Sequence, residues 1–353
     1  MTHFLKGCEV PLARQYGLAL LDLDGVVYRG AEPVENAARG ISLAEGQGMT
    51  MSYTTNNASR YPSEVADQLR GFGLDVDETS IITSAIVAAR MVREHLGEGA
   101  RILVIGSSHL GDQVEANGMK VVRRADEKPD AVLQAWYPGL SWADLAQAAY
   151  AIEGGARYFV TNRDMTLPRE GGMAPGNGSM LLPVIKATGK NPEDSAGKPE
   201  SAMYDEARQI LSKGPDSISR SDCLPVGDRL DTDIEAANRG GYDSLLVLTG
   251  VDTLETAARA IPVQRPTYIA RDLLGLTERQ PAVNRQTDGS WVCGGCRALV
   301  SDGGIRTWPC AREDCEGDGL DQARAVICAA WDYADQGGNV GKLDLSGLDT
   351  DLK

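Results

Sequence analysis

From residue 18 onward, short apolar runs alternate with amphipathic stretches, and a chain written in that rhythm folds around a parallel α/β sheet. GLALLDLDG reads as a buried strand ending in acid, VENAARGISLAEGQG as a helix, and MTMSYTTNN as a second strand. YPSEVADQLRGFG then reads as a helix opened by proline in its first turn. After a further helix, IVAARMVREHLG, a second set begins with ARILVIGSS, a short HLGDQVEANG helix, and the strands KVV, AVLQAW and ARYFVTN. This second set predicts an inserted α/β domain. GGMAPGNGSM marks the crossing back, because glycine and proline clusters punctuate boundaries. The first set resumes with a PESAMYDEARQIL helix, a DCLPVGD strand ending in acid, a TDIEAANRGG helix, and the strands DSLLVLTG and PTYIA. Beyond about residue 280 the text turns to Gly, Asp, Cys and Trp, with one amphipathic stretch, LDQARAVICAAWDYA. The expected organisation is a parallel-sheet core from residues 1–82 and 184–279, an inserted α/β domain over 83–183, and a small α+β extension over 280–353.

Composition narrows the function classes. A length of 353 residues suggests two to three domains at about 150 residues each. Fifty acidic residues against 35 basic ones leave a formal charge of -15, which argues against nucleic acid, since a backbone binder needs a basic face to release counterions. No apolar run approaches the roughly 18 residues of a membrane helix, and the first residues lack an apolar signal core, so a cytoplasmic protein without membrane insertion is expected. A homodimer is compatible with this picture. Only His3, His95 and His109 are present, none beside a candidate nucleophile, so carboxylates must carry any chemistry.

Asp22 and Asp24 stand two apart where the first strand ends, so both carboxyls can enter the crevice in which open α/β sheets bind ligands. Two close carboxylates repel, and tolerate each other only around a cation or when one is protonated. Turns and helix caps also favour Asp and Gly, which is the plainer reading of this motif taken alone. Thr54, Thr55, Asn56 and Asn57 end the next strand, where hydroxyl and amide groups at a helix-entry turn suit phosphate oxygens and equally suit capping. Lys198 in AGKPES can neutralise a phosphate as a point charge, although a lone lysine is usually solvated. VGDRLDTDIEAANRGG places Asp228 at a strand end, with Asp231 and Asp233 leading into a helix that first-turn acids would stabilise anyway.

What lifts these signals above their parts is their order. The segments DLDGV, TTNN, GKP and GDRLDTD match the four motifs of the haloacid dehalogenase superfamily, and the chain resembles that family over roughly residues 18 to 275. The resemblance implies a Rossmann-like core, and the insertion is similar to the α/β cap of the 4-nitrophenylphosphatase and phosphoglycolate phosphatase group. Within it, TNNASR, PGNGSM and a C-terminal module are most similar to glycerol 3-phosphate phosphatases of actinobacteria. What the resemblance implies is a phosphomonoesterase of a small phosphorylated metabolite, glycerol 3-phosphate first, with phosphoglycolate, pyridoxal phosphate or a nucleotide as rivals. It further implies Asp22 as nucleophile, Asp24 as general acid and base, and Thr55 and Lys198 as holders of the phosphoryl group. Mg²⁺ would be held by Asp22, the Asp24 carbonyl and Asp228, with Asp233 supporting the loop. Receiver-type phospho-acceptor modules share an Asp, a Thr and a Lys on a similar sheet, but their acid pair precedes the acceptor strand and they lack the long insertion.

In VTNRDMTLPREGG, the residues Asn162, Arg163 and Asp164 leave a strand into a cap loop that the resemblance assigns to substrate binding, alongside Asn56 and Asn57. Arg163 is a candidate substrate contact, and an ion pair with Asp164 or another acid is the competing expectation. Near the C-terminus, Cys293 and Cys296 are followed, after thirteen intervening residues, by Cys310 and Cys315. That spacing fits a zinc knuckle or a two-residue hairpin turn with reduced thiols, the second being commoner.

Overall fold

A computed structural model describes residues 4–169, 171–212, 217–301, 304–308, 319–345 and 348. The chain divides into two units, one running up to Ser52 and again from Ser212, the other Tyr53–Leu211.

The first unit grows from the strand Leu18–Asp22, whose Leu18, Ala19, Leu20 and Leu21 are completely buried. An uninterrupted apolar run is what a strand covered on both faces requires. It pairs in parallel with Cys223–Gly227, that strand with Leu245–Val247, and that one with Tyr268–Ala270. Parallel direction brings all four C-terminal ends to one edge. The strand Thr50–Thr55 starts in this unit, where the Thr50 N–H donates to the Gly17 carbonyl at 2.9 Å, and ends in the other.

An antiparallel sheet follows, in the order Val283–Arg285, Trp291–Cys293, Cys296–Ser301 and Gly304–Trp308. The helix Asp321–Asp335 buries Val326, Ile327, Ala330 and Trp331 on it. These residues share one apolar core with Ile234, Leu246, Leu254 and Ile269, and the Trp331 indole N–H donates to the Ala257 carbonyl at 2.8 Å. The C-terminal segment is therefore packed into the unit that carries the Asp22 strand.

In the second unit a five-stranded parallel sheet has the order Asp194–Ser195, Arg157–Val160, Ala131–Gln134, Arg101–Ile105 and Lys120–Val122. Tyr53–Thr55 pair in parallel with Ile81–Thr83. Two helices that the sequence reading did not anticipate, Trp142–Glu153 and Asn177–Thr188, pack against each other. The glycine-rich passage expected as a bare crossing forms instead the strand Gly172–Pro175, in a hairpin with Thr166–Arg169, and then opens the second of those helices. Glycine clusters mark sharp turns within a domain as readily as boundaries between domains. Among the described residues, no helix is long and apolar enough to cross a membrane.

Candidate active site

Asp22 is the last residue of its strand and is half-buried, while Asp228 immediately follows Cys223–Gly227 and is 1% exposed. After Asp228 the chain makes a π-helical turn, Leu230–Ile234, instead of entering an α-helix directly. The wider turn carries Asp233 back to the same spot. Oxygen atoms of Asp22, Asp228 and Asp233 all lie within 4.8 Å of one another. The structure thus makes Asp233, expected as a support for the loop, a full member of the carboxylate cluster. Its Oδ2 also accepts from the Arg229 N–H at 3.2 Å.

Asp228 is held from the adjoining loop, since its Oδ2 accepts from the Val251 N–H at 2.7 Å and its carbonyl from the Asp252 N–H at 3.1 Å. A Cβ on Gly250 would collide with the Asp228 carboxylate, so only glycine allows this close approach. Asp24 lies just past the strand with an exposed side chain, in a turn closed by Gly25 N–H donating to Tyr28 O at 2.8 Å. The Thr249 hydroxyl fastens the turn by donating to the Gly25 carbonyl at 2.6 Å. Asp231, by contrast, points away into an exposed pair with Arg229 at 2.9 Å. Three carboxylates in one small space present hard oxygen donors only, the donor set that Mg²⁺ and Ca²⁺ select.

In the second unit, Thr55 ends its strand buried, and its Oγ1 accepts from the Asn57 N–H at 3.1 Å. The hydroxyl proton is left to donate. Asn57 uses its side-chain oxygen to receive both the N–H and the hydroxyl of Ser59 at 2.8 Å, an Asx turn that aims its NH₂ group elsewhere. Asn56 turns the other way. Its NH₂ donates to the Asp164 carboxylate at 3.0 and 3.1 Å and to the Lys198 carbonyl at 3.0 Å, and its oxygen accepts from the Lys198 N–H at 2.9 Å. Lys198 itself is 2% exposed.

Asn162 follows the strand Arg157–Val160 by two residues, and its NH₂ donates to the Asn56 carbonyl at 2.8 Å. Asp164 pairs with Asn56 and not with its neighbour Arg163. Arg163 is exposed, makes one long contact of 3.4 Å to the Pro192 carbonyl, and has no acidic partner among the described residues. Helix Asn177–Thr188 pins this loop from behind, with the Asn177 NH₂ on the Asn162 carbonyl and the Gly178 N–H on the Asp164 carbonyl, both at 2.8 Å.

Cys293 and Cys296 face each other across the two-residue turn of an antiparallel hairpin, both buried. Burial pushes the Cys293 thiol well above its ordinary range, and its Sγ lies 3.5 Å from Asp321 Oδ1. Cys310 and Cys315 lie outside the described residues.

Comparison with known proteins gives one consistent result. The model of the haloacid dehalogenase-like hydrolases matches residues 19–120, and a second model for such hydrolases matches residues 195–276. The chain is 39% identical to the D-glycerol 3-phosphate phosphatase of Mycobacterium tuberculosis over 91% of its own length and 87% of that protein. It is 34% identical to an acid sugar phosphatase of Staphylococcus saprophyticus, over 74% of this chain and 96% of the relative. Among solved structures, the magnesium complex of a glycerol phosphate phosphatase from Mycobacterium tuberculosis superposes with a TM-score of 0.80 at 38% identity, covering 94% of this chain and 93% of the other. With strand-end acids, a motif order and near full-length similarity all in agreement, the chain belongs to the haloacid dehalogenase-like hydrolase family.

Proposed function

We propose that this protein is a Mg²⁺-dependent phosphomonoesterase that hydrolyses a small phosphometabolite, glycerol 3-phosphate before others. The cluster of Asp22, Asp228 and Asp233 oxygens carries the reading, because close carboxylates repel and a cation between them offsets that repulsion. The naming of the Mycobacterium tuberculosis relative supports the substrate. Residues 83–183 act as a cap on a core made of 1–82 and 184–279, and 280–353 as an extension. The enzyme works in the cytoplasm, alone or as a homodimer, and does not bind nucleic acid.

In this mechanism the Asp22 carboxylate attacks phosphorus, the ester oxygen leaves with a proton from Asp24, and an aspartyl-phosphate remains on Asp22. Asp24, now anionic, takes a proton from water as the water attacks phosphorus, which releases phosphate and restores Asp22. Thr55 donates its hydroxyl to a phosphoryl oxygen, and Lys198 supplies positive charge that its burial keeps from being screened. The Asp22 and Asp228 carboxylates and the Asp24 carbonyl, with Asp233 in support, would hold Mg²⁺, which would supply positive charge to offset that of the transferring group. Asn57 and Arg163 offer uncommitted donors to substrate oxygens.

Phosphate release over glycerol 3-phosphate, phosphoglycolate, pyridoxal phosphate, a nucleotide and several sugar phosphates, with Mg²⁺ and with chelator, tests this. Glycerol 3-phosphate is expected to show the highest kcat/KM, and chelation to remove activity. A sugar phosphate turned over best would move the substrate towards the acid sugar phosphatases, and activity that survives chelation would overturn the metal assignment.

A further inference from the structure

Asn56 and Asn57 are adjacent and chemically identical, and both stand in a segment that suggests phosphate binding. The structure separates them. A phosphoryl oxygen can only accept hydrogen bonds, so an asparagine that binds it must have an N–H to offer. Both side-chain N–H groups of Asn56 are engaged, one with the Asp164 carboxylate and one with the Lys198 carbonyl, and its oxygen receives the Lys198 N–H. Its main-chain carbonyl is also used, accepting from the Ser84 hydroxyl at 2.6 Å and from the Asn162 NH₂ at 2.8 Å. Recruiting Asn56 to a substrate would break a bond to an ionised carboxylate or strip a partner from the Lys198 main chain, and charge-assisted bonds are the costly ones to lose. The Asn57 NH₂ has no partner among the described residues.

We infer that Asn56 is a positioning residue whose amide fixes the Lys198 main chain and the Asp164 carboxylate in one rigid arrangement. The donor to substrate in this pair is then Asn57. Both ends of the Lys198 peptide environment are clasped, its N–H and its carbonyl, by a single planar group, so the stem of the buried lysine has a fixed origin. The clasp reaches 142 residues along the chain to Lys198 and 108 to Asp164, the residue beside Arg163. It therefore ties the residue that neutralises phosphate to the loop that carries the uncommitted arginine. Packing leaves no slack, since a Cβ on Gly197 would stand 2.6 Å from Asn56 Oδ1 and 2.7 Å from the Thr161 carbonyl. A glycine before Lys198 is thus a requirement of the clasp itself.

The inference rests on the phosphatase reading for its kinetic consequences and on the hydrogen bonds alone for its structural ones, so two readouts are needed. On the full-length enzyme with glycerol 3-phosphate and Mg²⁺, Asn56→Ala is expected to lower kcat by about 10²-fold while KM stays within about three-fold, the pattern of lost alignment. A raised KM with kcat retained would mark Asn56 as a substrate ligand and overturn the inference. Asn56→Asp sets a carboxylate against Asp164, whereas the swap Asn56→Asp with Asp164→Asn restores a donor facing an acceptor. The swap should recover about tenfold in kcat over Asn56→Asp, and no recovery removes the coupling to Asp164. Independently of any turnover, exchange of the Lys198 amide proton, followed by NMR, should quicken at least about tenfold in Asn56→Ala and stay near wild type in Asn56→Asp, whose carboxylate still accepts. Unchanged exchange in Asn56→Ala would disprove the clasp. Failure of the wild type to hydrolyse any phosphoester would disprove the function and leave the exchange result standing.

Discussion

The parallel sheet of the first unit and the five-stranded sheet of the second are built alike from short buried strands, yet they end differently. Leu18–Asp22 and Cys223–Gly227 lead into Asp22 and Asp228, whereas Arg157–Val160 leads into Thr161 and Asn162. The neutral ends find partners close by. Asn162 donates to the Asn56 carbonyl at 2.8 Å, and Gln134 receives the Tyr158 hydroxyl at 2.7 Å. Three clustered carboxylates cannot complete one another, because like charges only raise each other's energy. Architecture decides where a site can be, and the residue after the strand decides whether that place can do chemistry or only hold shape.

Replacing the attacking group would test that division most severely. Asp22→Asn is nearly isosteric but cannot attack phosphorus, so turnover should fall by at least about 10⁴-fold. The folded state should persist, since the change removes a like charge from the cluster. Phosphate release at the wild-type rate from the purified variant would remove Asp22 from the mechanism and dissolve the contrast between the sheets.

A smaller effect is expected from the loop that follows the strand Arg157–Val160, whose contribution is preference. Arg163→Ala should reduce kcat/KM for glycerol 3-phosphate by about tenfold and leave 4-nitrophenyl phosphate within about three-fold, because only the first offers hydroxyls to a polar loop. Equal losses on both substrates would mean that Arg163 serves catalysis in general.

The smallest effect is on stability. His109 in the second unit is fully buried, its Nε2 lies 3.0 Å from the Thr83 hydroxyl, and burial lowers its pKa below the ordinary value. The unfolded chain then binds the proton more readily than the folded one, so this contribution is present above the unfolded pKa of about 6.5 and is lost as pH falls from there towards the lower folded value. Tm followed from neutral to mildly acidic pH should drop more steeply in the wild type than in His109→Gln. Identical slopes would show that His109 does not titrate on unfolding.

Much of the first unit's site was legible because its signals are local. An apolar run that ends in acid needs only its own residues to be recognised, and it singles out Asp22, Asp24 and Asp228, of which the structure brings Asp22 and Asp228 together. Asp233 was read only as a support, because a helix-opening acid looks the same in sequence whether the turn behind it is α or π. Helix Trp142–Glu153 escaped for a related reason. WADLAQAAYAIE is apolar on nearly every side, and it leaves Trp142 and Tyr150 exposed, so no clean stripe distinguishes it. In the extension, the Gly-Gly pair between Cys293 and Cys296 announced a tight turn, and a hairpin is what formed.

By itself the sequence determined the alternation of strands and helices, the carboxylates at strand ends and the order of motifs that places the chain in its family, since each depends on neighbours along the chain. Tertiary structure alone decided which polar groups were already spent. Asn56 is consumed by partners more than a hundred residues away while Asn57 keeps a donor in hand, and Asp164 turns to Asn56 and leaves Arg163 exposed. Hydrogen-bonding capacity is finite and is allotted by proximity in space, so the same side chain reads alike in sequence whether it holds a ligand or holds the protein.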